Sequence, residues 1–134
     1  MNITPDWIEK LAADEVFVFG SNEAGRHGKG AAKTAMGFGA KYGQGFGPQG
    51  NTFAIPTMNA SISNKLSVEK IGTYVERFLQ YAANHPEKTF LVTEIGCGLA
   101  GHSVKDIAKL FWACDQMPNI YLPKKFWREL KITS

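Results

Sequence analysis

Ten of the fourteen glycines lie between Gly20 and Gly50, three more are Gly96, Gly98 and Gly101, and only Gly72 stands alone. Glycine is costly to order and offers no side chain to a core, so a chain that only had to pack would have little reason to group its glycines this way. Both groups begin where a strand-forming run stops. Glu15-Val16-Phe17-Val18-Phe19 meets Gly20, and Thr89-Phe90-Leu91-Val92-Thr93 runs into EIGCGLAGH, Glu94 to His102. A helix-forming stretch follows the opening loop of each group, Lys29 to Met36 in the first and the run after Ser103 in the second. Strand, glycine loop and helix, used twice, is the pattern that any fold of this chain must accommodate.

The remaining elements alternate in the same way. Glu15 to Phe19 is apolar on both faces, as in a strand buried within a parallel sheet. Lys29 to Met36 reads as a helix. Lys41 to Asn51 (KYGQGFGPQGN) carries too much Gly and Pro for a regular element, and a loop this long in a compact domain commonly has a function. Thr52 to Ile55 is a second strand, ended by Pro56, and Thr57 to Leu66 is a polar, exposed connection. Ser67 caps the best helix in the chain, with Val68, Ile71, Val75, Phe78, Leu79 and Ala82 on one face. Thr89 to Thr93 is a third strand. Ser103 caps a further helix that turns Val104, Ile107, Ala108, Phe111 and Cys114 inward. Asn119 to Leu122 is the last strand, and Pro123 opens a basic helical tail. At the other end, Thr4-Pro5-Asp6 reads as the start of a short helix: Thr4 as cap, Pro5 at the first position, Asp6 at the positive end of the dipole, and Trp7, Ile8 and Leu11 on its apolar side. This order predicts an α/β protein: a three-layer α/β/α arrangement with a mixed, mostly parallel sheet and helices on both faces. A single domain over residues 1–134 is expected.

Composition excludes several classes. Forty-four per cent hydrophobic residues, including nine Phe and three Trp, suit a packed core and argue against disorder. No apolar run approaches the roughly 20 residues that span a bilayer, and the first residues do not form a signal peptide. Two cysteines, Cys97 and Cys114, make no disulfide framework, and a reduced, cytoplasmic chain is expected. Fifteen Lys plus Arg against twelve Asp plus Glu give a net charge of +3, too small to argue for nucleic acid by itself.

Ligands of α/β sheets bind beyond the carboxyl ends of the strands, where both glycine loops fall. The two can face one another across one cleft. Glycine lets successive backbone N–H groups converge on an anion, and the start of the next helix adds partial positive charge. Gly96-Cys97-Gly98-Leu99-Ala100-Gly101 before Ser103 has these parts, and the first loop adds Arg26 and Lys29. Together they describe a phosphate or diphosphate site. The named motifs do not fit. Gly28-Lys29-Gly30 lacks the hydroxyl of a P-loop. Gly96 to Gly101 has G-x-G-x-x-G spacing, but the acidic Asp115 downstream closes a helix and does not end a strand, which argues against a dinucleotide dehydrogenase.

Other residues carry a bland and a sharp reading side by side. Asn22 either contacts a ligand or holds the turn after the strand. His27 is either a general acid or base or a solvated loop histidine. Cys97 is either a nucleophile activated by a helix start or a small space-filler. Gln44, Phe46 and Gln49 either touch the ligand or belong to a floppy surface loop. Lys124-Lys125-Phe126-Trp127-Arg128 mixes bases and aromatics as single-stranded nucleic-acid binders do, or packs its rings inward. Cys97, His102, His27 and Cys114 have no metal-ligand spacing, so neither metal nor cofactor is expected.

Val16-Phe17-Val18-Phe19-Gly20-Ser21-Asn22 and then Gly28-Lys29-Gly30-Ala31-Ala32 resemble the first ligand loop of macro domains. Glu94 to His102 resembles their second loop, which cradles the diphosphate of ADP-ribose. Phe53-Ala54-Ile55-Pro56-Thr57 is similar to the middle strand of the branch that removes ADP-ribose from DNA, and the phrases as a set look like small macro-like proteins of bacteria and phages. The resemblance covers Glu15 to Phe111. It implies a macro-like fold and a site for ADP-ribose or a related nucleotide, free or attached to protein or nucleic acid. It implies ligand contacts from Gly20, Ser21, Asn22, Gly28, Lys29, Gly30, Thr57, Gly96, Cys97, Gly98, Leu99, Ala100, Gly101 and His102, and Gln49 of the long glycine loop joins them as a candidate on its own residue type. Asn22 would stand at the distal ribose and His102 near it. Were an ADP-ribosyl linkage hydrolysed, Asn22, His27 and Lys29 are the catalytic candidates. The DNA-directed branch has a catalytic lysine where this chain has Met58, which is neither acid, base nor nucleophile. Binding is therefore the better-supported expectation, ahead of hydrolysis of an ADP-ribosyl linkage; a non-catalytic reader or sponge, or a nucleic-acid-binding module, is the alternative.

Overall fold

A computed structural model describes residues 2–133. Five strands form one mixed sheet in the order β2-β3-β1-β4-β5, with β1 Glu15–Asn22, β2 Gly47–Gln49, β3 Thr52–Met58, β4 Thr89–Val92 and β5 Ile120–Tyr121. β1 lies at the centre, parallel to β3 and β4, and β4 is parallel to β5. β2 alone runs antiparallel, along β3. Four α-helices accompany the sheet, α1 Gly30–Met36, α2 Val68–Ala83, α3 Val104–Ala108 and α4 Lys124–Thr133, with a 3-10 segment over Lys109–Gln116.

Alternation along the strands builds two cores. Val16, Val18, Phe53, Ile55, Phe90 and Val92 face α2, the 3-10 segment and α4, and pack with Ile71, Val75, Phe78, Phe111 and Phe126. Phe17, Phe19 and Ala54 face the other way, onto Ala32 and Ala35 of α1, with Ile8, Leu11 and Phe38 alongside. Helices therefore cover both faces, compatible with three α/β/α layers. The first core carries the large aromatics edge to face, such as Phe53 against Phe78 at 4.9 Å between centroids. The second is lined largely by alanine, which brings α1 close to β1. α2 forms as its sequence dictates: the Ser67 hydroxyl accepts from Lys70 N–H, and Ile71, Val75, Phe78 and Ala82 are buried.

Three local expectations are corrected. Residues 4–12 form no helix. Ile3 bridges Leu122 in parallel, and Thr4 N–H donates to the Leu122 carbonyl at 2.9 Å. The start of the chain extends the sheet beyond β5, and the Thr4 hydroxyl is buried without a partner and caps nothing. The segment from Lys41 to Asn51 contains β2, which pairs with β3 through Gly47 to Gln49. Pro56 does not end β3, which continues to Met58. Proline is tolerated there because β2 reaches only as far as Ala54, so no β2 carbonyl requires an N–H from Pro56.

Candidate functional site

The carboxyl ends of β1, β3 and β4 open onto a cleft of about 490 Å³. Adjacent parallel strands carry the two glycine loops to it. At Gly20, a Cβ would sit 3.5 Å from Gly96 N, so the end of β1 touches the second loop directly. Gly20, Ser21, Asn22, Gly28, Lys29, Gly30, Thr57, Gly96, Gly98, Leu99 and Ala100 line the cleft together. So do Arg26, Tyr42, Met58, Ile62, Glu94 and Ile95.

The second loop is a tight knot with a free rim. His102 N–H donates to Gly96 O at 2.8 Å and Gly101 N–H to Gly98 O at 3.0 Å, which closes the knot. The N–H groups of Gly98, Leu99 and Ala100 have no acceptor among the described residues. Gly96 holds φ of +74°, and a Cβ there would press on the Ile107 side chain at 3.1 Å. A Cβ at Gly28, Gly30 or Gly98 would meet nothing within 4 Å. These three glycines therefore leave room at the cleft, and their packing alone does not require them. α1 begins at Gly30 without a side-chain cap and with no acid in its first turn.

Charge in the cleft is mixed. Arg26 and Lys29 stand on the first loop, and Glu94 on the opposite wall lies 3.6 Å from the Lys125 ammonium. Both partners of that pair are half-exposed, so it contributes little to stability, yet it partly neutralises the one carboxylate among the described residues that line the cleft.

Several expected site residues do other work. Asn22 Oδ1 accepts from Arg26 N–H at 2.9 Å, and Nδ2 donates to Arg26 O at 3.0 Å. Its amide holds the turn after β1, the bland reading, while the residue still borders the cleft. His27 does not line it. The ring is buried edge-on to Phe19, and Nε2 bonds the Gln44 carbonyl at 3.1 Å. A carbonyl only accepts, so Nε2 carries the proton; Nδ1 is buried without a partner. A histidine so placed fastens two loops and is not set as an acid or base for a cleft ligand. Gln49 is likewise corrected: it is buried behind the cleft, where Oε1 accepts from Lys41 N–H at 2.8 Å and Nε2 donates to Gln44 O at 2.9 Å. Gln44 donates to the carbonyls of Phe46 and Pro48, and Phe46 lies against Phe53, Tyr74 and the Arg77 guanidinium on the α2 side. None of these three lines the cleft.

Cys97, Gly101 and His102 belong to the second loop but not to the cleft lining. His102 Nε2 bonds Leu66 O at 2.7 Å and ties the loop to the segment before α2. Ser103 accepts from Asp106 N–H at 3.2 Å, so the start of α3 is already capped and carries an acid. Cys97 is half-buried, and desolvation, then the nearby Glu94 carboxylate, push its thiol up to about 11. That contradicts an activated nucleophile. At pH 8 Cys97 is a protonated thiol, and its alkylation by iodoacetamide should be slow, accelerating only as pH climbs toward 11. Mass spectrometry of the alkylated chain across that range checks this; rapid labelling at pH 7 would show a thiolate instead. At the C-terminus Phe126 and Trp127 are buried, so the basic tail presents no aromatic platform from these two rings.

Sequence reading does not reach two cleft residues, Ile62 and Tyr42: Ile62 arrives on the arm that follows β3, and Tyr42 because the glycine-rich segment folds back. No local pattern marks them.

No protein-family model, no curated protein and no solved structure matches the chain. The functional reading therefore rests on the cleft itself. No helix among the described residues is long and apolar enough to cross a membrane.

Proposed function

We propose that the cleft binds ADP-ribose or a related nucleotide diphosphate, and that the domain is macro-like. The observation that carries this reading is the meeting of the two glycine loops. Three open glycine positions, three unbonded N–H groups at Gly98, Leu99 and Ala100, and the cations Arg26 and Lys29 surround one cleft of about 490 Å³. A diphosphate needs several donors at close range and no side chain in the way, which is what this arrangement offers. The central β1 and β4, each ending in one of these loops, support the macro-like reading of the fold.

Binding, not hydrolysis, is the function proposed. The Asn22 amide is spent on its turn, His27 faces the interior, and Met58 brings no proton-transfer group to the cleft. Lys29 remains as a phosphate contact. Thermal unfolding in the presence of ADP-ribose tests this, with ADP, AMP, NAD and cyclic ADP-ribose alongside. Ligand at about 100 times its dissociation constant adds roughly 2.7 kcal/mol, which for a chain this size raises Tm by several degrees. A shift with ADP-ribose beyond that with AMP is expected; no shift with any of the five overturns the reading.

A further inference from the structure

Ile62 is the only residue other than glycine with positive φ among the described residues, at +59°. A β-branched side chain is poorly suited to that region, and such outliers persist only where the surroundings enforce them. The surroundings here are explicit. β3 leads into a short arm in which Met58 bridges Lys65. Asn59 N–H donates to Asn64 O at 2.9 Å, Ile62 N–H donates to Asn59 O at 3.1 Å, and Asn59 Oδ1 accepts from Ser63 and Asn64 N–H. An ordinary turn would place Gly or Asn where Ile62 stands. The arm instead carries an aliphatic side chain to the cleft, where Met58, Tyr42 and Leu99 also lie. Tyr42 and Leu99 are among the most exposed large apolar residues of the chain, at 66% and 75%.

We infer that Ile62 is a specificity residue: its strained turn holds an apolar rim, shared with Met58, Tyr42 and Leu99, against the face of a ring joined to the diphosphate. The inference rests on the diphosphate reading of the cleft and adds to it what discriminates between ligands. Backbone N–H groups and cations cannot tell one diphosphate from another. An apolar rim can, because it rewards a ligand that brings a ring face with it. The ring is either the base or the terminal sugar.

The test pairs stability with affinity. Ile62→Asn suits the left-handed conformation and removes the apolar side chain; Ile62→Val keeps both the strain and the apolar surface. Tm is read without ligand, and affinity by calorimetry with pyrophosphate, ADP and ADP-ribose. Ile62→Asn should unfold no earlier than the wild type and bind ADP-ribose about tenfold more weakly, the size expected for losing one aliphatic contact. Its affinity for pyrophosphate should be unchanged, and Ile62→Val should bind like the wild type. Weakening with both ADP and ADP-ribose assigns the ring to the base, and weakening with ADP-ribose alone assigns it to the sugar; either result supports the rim. Unchanged ADP-ribose affinity in Ile62→Asn, equal loss for pyrophosphate, or a lowered Tm overturns the inference while leaving the diphosphate site standing. Wild-type protein that binds none of the three overturns the diphosphate reading itself.

Discussion

Gly98→Val should remove nucleotide binding and leave the fold intact. A Cβ at Gly98 meets no atom within 4 Å, and its φ does not lie in the left-handed region. The backbone therefore accepts a branched residue there, and the side chain has only the cleft to enter. It would occupy the space beside the N–H groups of Gly98, Leu99 and Ala100 that a phosphate needs. A loss of about a hundredfold or more in ADP-ribose affinity is expected, roughly 2.7 kcal/mol, with Tm within a degree or so of the wild type because no core contact changes. Gly96→Val makes the contrast. It places a side chain at φ +74° and against Ile107, so it should lose stability along with binding. Full affinity in Gly98→Val would remove the second loop from the site.

How far the sequence reveals this site depends on whether a residue's partner is near it in the chain. α2 is legible because everything that makes it is local: the Ser67 cap, and Ile71, Val75 and Phe78 at helical spacing. Strands β1 and β4 are legible as apolar runs, and the glycine loops as the breaks at their carboxyl ends. Their meeting across one cleft is then a consequence of parallel pairing. The helix expected after Thr4 fails because its donors were assigned by local capping rules, while Leu122, far along the chain, takes the Thr4 N–H. His27 fails in the same manner: it looks like a loop polar residue, and it is buried by the other loop through the Gln44 carbonyl. Gln49 fails for another reason, since its amide is taken up inside its own segment by Lys41 N–H and the Gln44 carbonyl. Ile62 is the extreme case. Its residue type argues against the conformation it adopts, so only the folded backbone reveals it.

The same dependence makes the long glycine-rich segment sensitive to substitution. Gly45→Ala should lower Tm by roughly 10 °C or more. A Cβ there would lie 2.5 Å from Asn22 O and 2.7 Å from Glu23 O, which are backbone atoms that no rotamer change can move aside. The Ser21 hydroxyl donates to the Gly45 carbonyl, and Gly43 N–H donates to Gly25 O at 2.8 Å. The segment is thus laid backbone against backbone behind the first glycine loop and sets the position of Asn22 to Gly28. Gly43→Ala separates steric from conformational demand. Gly43 has φ of +97° but open space for a Cβ, so it should cost only about 1 kcal/mol of backbone strain. Differential scanning calorimetry of the two variants reads the difference. Equal Tm values would mean that the contact with Asn22 and Glu23 yields at little cost. A selective collapse of Gly45→Ala, with ADP-ribose binding lost at temperatures where the variant remains folded, would show that this segment holds the first loop in its binding shape.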